Sequence, residues 1–256
     1  MVRLSIELPL GALCAVDIPA TPPKTGDPLW QDLLPEERAH LATLAPARQA
    51  AFAAGRVALA AALRSRGFPR KPILSDPRGA PQVPSGALGS ISHKRTLAVG
   101  LCASAPANTE PHAGLGVDLE ELRPLGVDIS RRVLTPAEHA DLAPLPPARS
   151  AGTPAAPAKD APISAFSDRL PSDRDTAILL RFSLKEAFFK AANGLVGGSL
   201  SFQDLTVAAI NGEGEVVLAG PALERHRLNA RAWAKTQAPL PGHIVSAVRV
   251  SRWATC

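Results

Sequence analysis

Over its first eight residues the chain alternates, with Val2, Leu4, Ile6 and Leu8 apolar and Arg3, Ser5 and Glu7 polar between them. Period two predicts a strand. Residues 19–28 are proline-rich and predict a loop. Pro35-Glu36-Glu37-Arg38 opens a helix, with acids near its positive end. A longer helix is predicted over residues 47–63, ending near Gly67, with Phe52, Leu59 and Leu63 on its apolar face. Gly55 inside it costs about 1 kcal/mol relative to alanine, which signals a close neighbour that Arg56 beside it can also reach. A turn at residues 76–81 leads to Gly89-Ser90-Ile91-Ser92-His93, placed just before a strand at residues 96–101.

After a polar joint at residues 103–113, the alternation returns. Leu115, Val117 and Leu119 fall on one face of a strand, and Gly116, Asp118 and Glu120 on the other. Thr135 caps a short helix over residues 136–142. Residues 144–175, rich in Ala, Pro and Ser, are too long and featureless for an ordinary connection and read as a mobile insertion. Leu184, Ala187, Phe188 and Ala191 then follow helical spacing, which puts Glu186 and Lys190 one turn apart on the opposite side. A hairpin is predicted around Asn211-Gly212, and residues 230–235 and 244–250 alternate as closing strands. Residues 52–62 can be laid over residues 182–192 without gaps, so that Phe52 meets Phe182 and Arg56 meets Glu186. This faint repeat predicts two similar halves about a pseudo-twofold axis.

Composition narrows the possibilities. At 256 residues, nearly half of them hydrophobic, the chain can bury a proper core as one large domain or two small ones. No apolar run reaches the 18 residues or so of a membrane span, and the N-terminus is too short and charged for a signal peptide. Cys14, Cys102 and Cys256 are odd in number and unclustered, which fits a reducing cytoplasm and no metal or disulfide framework. A net charge of +5 favours a polyanionic ligand or an acidic partner. With no tyrosine, seven Phe and three Trp, a base-stacking surface for nucleic acid is poorly supplied.

Candidate chemistry sits on the strand and helix of the second half. Asp118 and Glu120 lie one repeat apart on one face, roughly 6–7 Å between Cα atoms. Gly116 leaves room for something to approach the backbone. If the helix packs beside this strand, Glu186 adds a third carboxylate with a lysine next to it. Three oxygen donors and an ammonium suit a magnesium-bound polyphosphate. Taken singly, Asp118 and Glu120 also read as a polar strand end, and Glu186 with Lys190 as a surface pair of about 0.3–0.5 kcal/mol. In the first half, Ser92, His93 and Arg78 would make a phosphate pocket, although a histidine at a strand end is more often structural.

Further pieces match together. Gly116-Val-Asp-Leu-Glu120 and Phe182-Ser-Leu-Lys-Glu-Ala-Phe-Phe-Lys190 resemble the signature pair of the 4'-phosphopantetheinyl transferases. Ala54-Gly-Arg-Val-Ala-Leu59, Arg78-Gly-Ala-Pro81 and Ser90-Ile-Ser-His-Lys94 resemble that family's other motifs, in the same order. The resemblance spans roughly residues 33–192 without the insertion, and is to the long, monomeric type that serves nonribosomal peptide and polyketide synthetases. It implies an α+β fold of two similar subdomains, residues 1–114 and 115–256, with the active site in the cleft between them. It implies coenzyme A and Mg2+, and transfer of the phosphopantetheine arm to a serine of an apo acyl or peptidyl carrier protein, releasing 3',5'-ADP. Carried over, Asp118, Glu120 and Glu186 would hold Mg2+ against the pyrophosphate. Arg56, Arg78 and His93 would contact phosphates, including the 3'-phosphate, with Ser92 near the nucleotide. Lys185 and Lys190 would neutralise the pyrophosphate, Lys190 would assist the leaving group, and Glu186 would be the base. Ala80 stands where some relatives carry a lysine, which shifts phosphate load to Arg78.

Two other functions fit parts of the pattern. A Mg2+-dependent phosphodiesterase or nuclease would use the same three carboxylates, but no water-activating histidine accompanies Asp118 and Glu120. A basic, noncatalytic module would bind a nucleotide or an acidic protein.

Overall fold

A computed structural model describes residues 2–106, 113–146 and 173–253. The alternating N-terminus is strand β1 (Val2–Leu8), which turns at once into β2 (Gly11–Asp17). After the loop come α1 (Pro28–Gln31), α2 (Pro35–Thr43) and the long α3 (Pro46–Ser65), then the hairpin β3 (Ala87–Lys94) and β4 (Leu97–Ser104). The second half begins with β5 (Ala113–Glu121), followed by α4 (Ser130–Val133), α5 (Pro136–Leu142) and the long α6 (Arg174–Ala192). A short 3-10 turn (Phe202–Asp204) leads to β6 (Thr206–Ile210), β7 (Glu215–Ala219), α7 (Pro221–Arg225), β8 (Leu228–Thr236) and β9 (His243–Arg252). Most of the predicted insertion, residues 147–172, lies outside the described residues, as do residues 107–112 of the predicted joint and Cys256. Its last part belongs to α6, which starts at Arg174 because the Asp173 carboxylate accepts from Thr176 N and caps it.

The strands form two antiparallel sheets, ordered β1-β2-β4-β3 and β5-β9-β8-β7-β6. Alternation decides their faces. Val99 and Leu101 of β4 join Leu115, Val117 and Leu119 of β5, with Val245 and Ala247 of β9, in one core shared by both sheets. The residues between them point outward to a helix: Ala98 and Cys102 to α3, Val248 and Val250 to α6. The fold is thus α+β, and each half repeats one plan, a long helix laid across an antiparallel sheet.

Glycines set how close each helix comes. A Cβ on Gly100 of β4 would lie 2.3 Å from Leu59 N of α3. On Gly116 of β5 it would lie 1.8 Å from the Ala187 carbonyl of α6, and on Gly114 1.9 Å from that of Ala191. The group that Gly116 admits to the strand is therefore the helix carrying Glu186 and Lys190. Gly55 of α3 likewise faces Ile91 of β3, where a Cβ would lie 2.8 Å from Ile91 Cγ2.

The sheets also meet edge to edge. Ser90, Ser92 and Lys94 alternate along β3, at the edge of the first sheet, and turn toward β5, at the edge of the second. Ser90 Oγ accepts from Val117 N at 3.0 Å and Ser92 Oγ from Leu119 N at 3.3 Å. The two strands run parallel here and are joined by side chains. Hydroxyls satisfy the β5 amides that a further strand would otherwise take, so this edge is closed by side chains rather than by strand pairing.

Candidate active site

The side-chain seam between β3 and β5 is where the chemistry gathers. Asp118 projects from β5 toward α6, and its Oδ1 accepts from Lys190 Nζ at 2.7 Å and from Ser92 Oγ at 3.0 Å. Lys190 also donates to the Val117 carbonyl at 3.0 Å and to Ser92 Oγ at 3.1 Å. Glu120, two residues on, is buried and paired through Oε2 with Lys94 Nζ at 2.5 Å. Glu186 stands one turn before Lys190 on the same side of α6. Burial, then the negative charges of Asp118 and Glu120, push its carboxyl above the usual range, while Lys190 pulls it back. Glu120 is raised as well, by burial first, against a hydrogen bond from Lys94. Glu186 thus lies within electrostatic reach of both strand carboxylates.

The first half supplies a basic wall. Ser92 and His93 belong to β3 itself rather than to a segment before a strand, because residues 87–94 pair along their whole length with β4. Alternation then sends Ser92 toward Asp118 and His93 to the α3 side. Partial desolvation by the surrounding protein holds the exposed His93 below its ordinary value, helped by the positive charges of Lys190, Arg48 and Arg56. Arg56 is 8 % exposed, donates to the Ile73 carbonyl and Ser75 Oγ, and lies 4.1 Å over the Phe52 ring. Burial lowers it to about 10, against the pull of Glu37. Its hydrogen bonds go into the scaffold while its charge is felt at His93. Arg78 spans the halves, donating to the Asn193 carbonyl beyond α6. Beside that contact opens a pocket of about 470 Å3, lined by Arg78 with Phe189, Asn193, Val196 and Ser199 among others.

Lys185 departs from expectation. It is fully buried, and Nζ donates to the Val133 carbonyl and Glu138 Oε2 at 2.7 Å and to the Phe202 carbonyl at 3.0 Å. One residue along a helix turns a side chain by about 100°, so Lys185 enters the interior where Glu186 faces the cleft. All three of its donors are taken, and it does not join the groups around Asp118. Glu138 completes this cluster by accepting from Thr135 N and Val207 N.

Periodicity alone does not single out Lys94, Ser90 and Arg48. The first two continue the alternation that carries Ser92, and Arg48 stands about two turns before Arg56 on the same helix, but only the packed sheets show which partners they meet.

A divalent cation suits this donor set. Asp118, Glu120 and Glu186 offer only oxygen, as a hard ion prefers. Asp118 Oδ2 is buried with no hydrogen-bond partner, an arrangement that costs about 1–3 kcal/mol unless something satisfies it. As the side chains stand, lysines hold Asp118 and Glu120, and among the described residues no three potential ligands are gathered tightly enough to bind one ion.

Comparison with known proteins identifies the family. The 4'-phosphopantetheinyl transferase N-terminal domain family matches residues 36–103, and the 4'-phosphopantetheinyl transferase superfamily matches residues 114–235. The chain is 32% identical over 225 residues to the 4'-phosphopantetheinyl transferase Svp of Streptomyces mobaraensis, spanning 86% of this chain and 79% of the relative. The chain belongs to the 4'-phosphopantetheinyl transferase superfamily. It is a transferase that moves the phosphopantetheine arm of coenzyme A onto carrier proteins. The first match ends within β4 and the second begins within β5, and the seam of Ser90 and Ser92 against Val117 and Leu119 joins the two matched segments.

Proposed function

We propose that this phosphopantetheinyl transferase works with Mg2+ held by Asp118, Glu120 and Glu186, and that its subdomains are residues 1–114 and 115–256 with the catalytic cleft between them. The observation that carries the reading is Asp118 Oδ2, buried and unpartnered where α6 crosses β5, with Glu186 of that helix feeling the charges of Asp118 and Glu120. When bound, the ion would neutralise the coenzyme A pyrophosphate and polarise its phosphoryl oxygens.

The remaining roles fall to the chain's own residues. His93 and Arg48, backed by the charge of Arg56, receive phosphate oxygens from the first half, with Ser92 near the nucleotide. Arg78 supplies a further cation at the mouth of the neighbouring pocket. The carrier serine Oγ attacks the phosphorus that bears the pantetheine arm, and its proton passes to the Glu186 carboxylate. The bond from that phosphorus to the bridging oxygen breaks, and 3',5'-ADP leaves with the bond's electrons. Lys190, held at Asp118, stabilises that departing charge. A carboxyl raised by burial and like charges is a stronger base than an exposed one, as proton removal from a serine requires.

We infer further that the enzyme acts as a monomer in the cytoplasm, on carriers of nonribosomal peptide and polyketide assembly lines. Both walls of the cleft come from one chain, and Cys14 and Cys102 are free buried thiols, which supports a reducing compartment. No described helix is long and apolar enough to cross a membrane.

The test is incubation with coenzyme A, Mg2+ and apo carriers, followed by intact mass measurement of the added arm. Glu186→Gln should lower the transfer rate by about 100-fold or more, the usual worth of a positioned general base, while coenzyme A still binds. Full transfer by this variant would remove Glu186 from the mechanism.

A further inference from the structure

Lys94 has no part in the steps above, yet its ammonium sits on one of the carboxylates assigned to the cation. Along β3, Ser90, Ser92 and Lys94 all turn to β5, and the lysine comes from the opposite half to Glu120. The pair is half-sheltered, with 29% and 10% of the two side chains exposed and 2.5 Å between Lys94 Nζ and Glu120 Oε2. The next residue, Arg95, takes a left-handed conformation (φ 43) and lies 3.6 Å from Glu121, so the hairpin turn holds this end of β3 against β5.

The two lysines of the site differ in their bonds. Lys190 has three acceptors, Asp118, Ser92 and the Val117 carbonyl, so it stays anchored when one contact changes. Lys94 has Glu120 as its one ion-pair partner among the described residues. Anything that draws Glu120 away frees a whole ammonium beside the seam, next along β3 to His93.

We propose that Lys94 is a built-in counter-ion that competes with the divalent cation for Glu120. The free enzyme then binds the cation weakly. Coenzyme A raises that affinity because its pyrophosphate brings oxygens for the cation and an acceptor for the displaced Lys94. This rests on the reading of Asp118, Glu120 and Glu186 as the cation site, and goes beyond it by making cation and coenzyme A binding interdependent through one side chain of the first half.

Titration calorimetry with Mn2+, without and then with coenzyme A, tests the idea on the full chain. Lys94→Met keeps the apolar stem and removes the charge. It should tighten Mn2+ binding to the free enzyme by about tenfold, the scale of one charge-assisted hydrogen bond, and shrink the further gain on adding coenzyme A. Lys94→Arg should behave like the unaltered protein. In a chelator, Lys94→Met should melt at a lower temperature, because Glu120 loses its counter-charge. Unchanged or weaker Mn2+ binding by Lys94→Met, with Glu120→Gln abolishing it, would overturn the role of Lys94 alone. If the unaltered protein binds no Mn2+ with or without coenzyme A, the cation site and the role of Lys94 fall together.

Discussion

Replacing Lys185 by methionine separates an interior anchor from a phosphate ligand. Methionine keeps most of the volume but none of the three donors, so the Val133 and Phe202 carbonyls lose their partner and the Glu138 carboxylate is left buried with backbone amides and the more distant Arg181, 4.0 Å away. Removing one member of a buried ion pair costs about 3–5 kcal/mol. For a chain of this size each kcal/mol lowers Tm by about 2–4 °C, which gives a drop of about 6–20 °C. Thermal unfolding followed by circular dichroism reads it directly. Because Lys185 ties α6 to α4, α5 and the turn at Phe202, some of the loss returns when Glu138→Gln is added, by about 1–3 kcal/mol of coupling. The KM for coenzyme A, measured well below the melting point, should stay within about twofold, since a residue that makes no contact with substrate does not alter its binding. An unchanged Tm with a KM raised tenfold or more would return Lys185 to the pyrophosphate and refute the argument from burial.

Two more predictions concern packing and charge. Gly100→Ala should destabilise the fold by about 1–3 kcal/mol or more, because the new methyl would sit 2.3 Å from Leu59 N and backbone has to move; a urea midpoint equal to the unaltered protein's would show that α3 does not lie so close to β4. His93 is held below its ordinary value by partial desolvation first and then by Lys190, Arg48 and Arg56. It is therefore neutral at pH 7, and its contribution to stability is present above about pH 6.5 and lost as pH falls through its folded value. A phosphate at His93 favours the charged ring, so binding takes up a proton and the KM for coenzyme A should fall as pH is lowered from about 7.5 toward 6. His93→Ala should flatten that profile, and a variant with the same slope would exclude His93 as a phosphate group.

How much of the fold and the site is legible in the residues differs from place to place. Period two alone sorts the faces of β5, with Leu115, Val117 and Leu119 to one side and Gly116, Asp118 and Glu120 to the other, and the packed sheets place them so. The capping box at Thr135 and Glu138 is equally readable, because it depends on residues three apart. Gly116 and Gly55 announce a close neighbour without naming it, since a missing Cβ records a distance and not an identity. Segment ends are weaker: residues 87–94 lack a clean apolar alternation, because Ser90 and Ser92 occupy positions that meet another sheet's edge.

The order of residues along the chain determines what local periodicity controls, namely the helices and strands, which face of each is apolar, and which charged groups share a face. Partner choice lies beyond it. Glu186 and Lys185 are neighbours in sequence with opposite surroundings, and only the packing of α6 on β5 and α4 decides that one faces the charge of Asp118 and the other bonds Glu138. Lys94 meets Glu120, and Ser92 meets Asp118, because two sheets come edge to edge. Such long-range contacts depend on the summed burial of both cores, and no short window of the chain contains that sum.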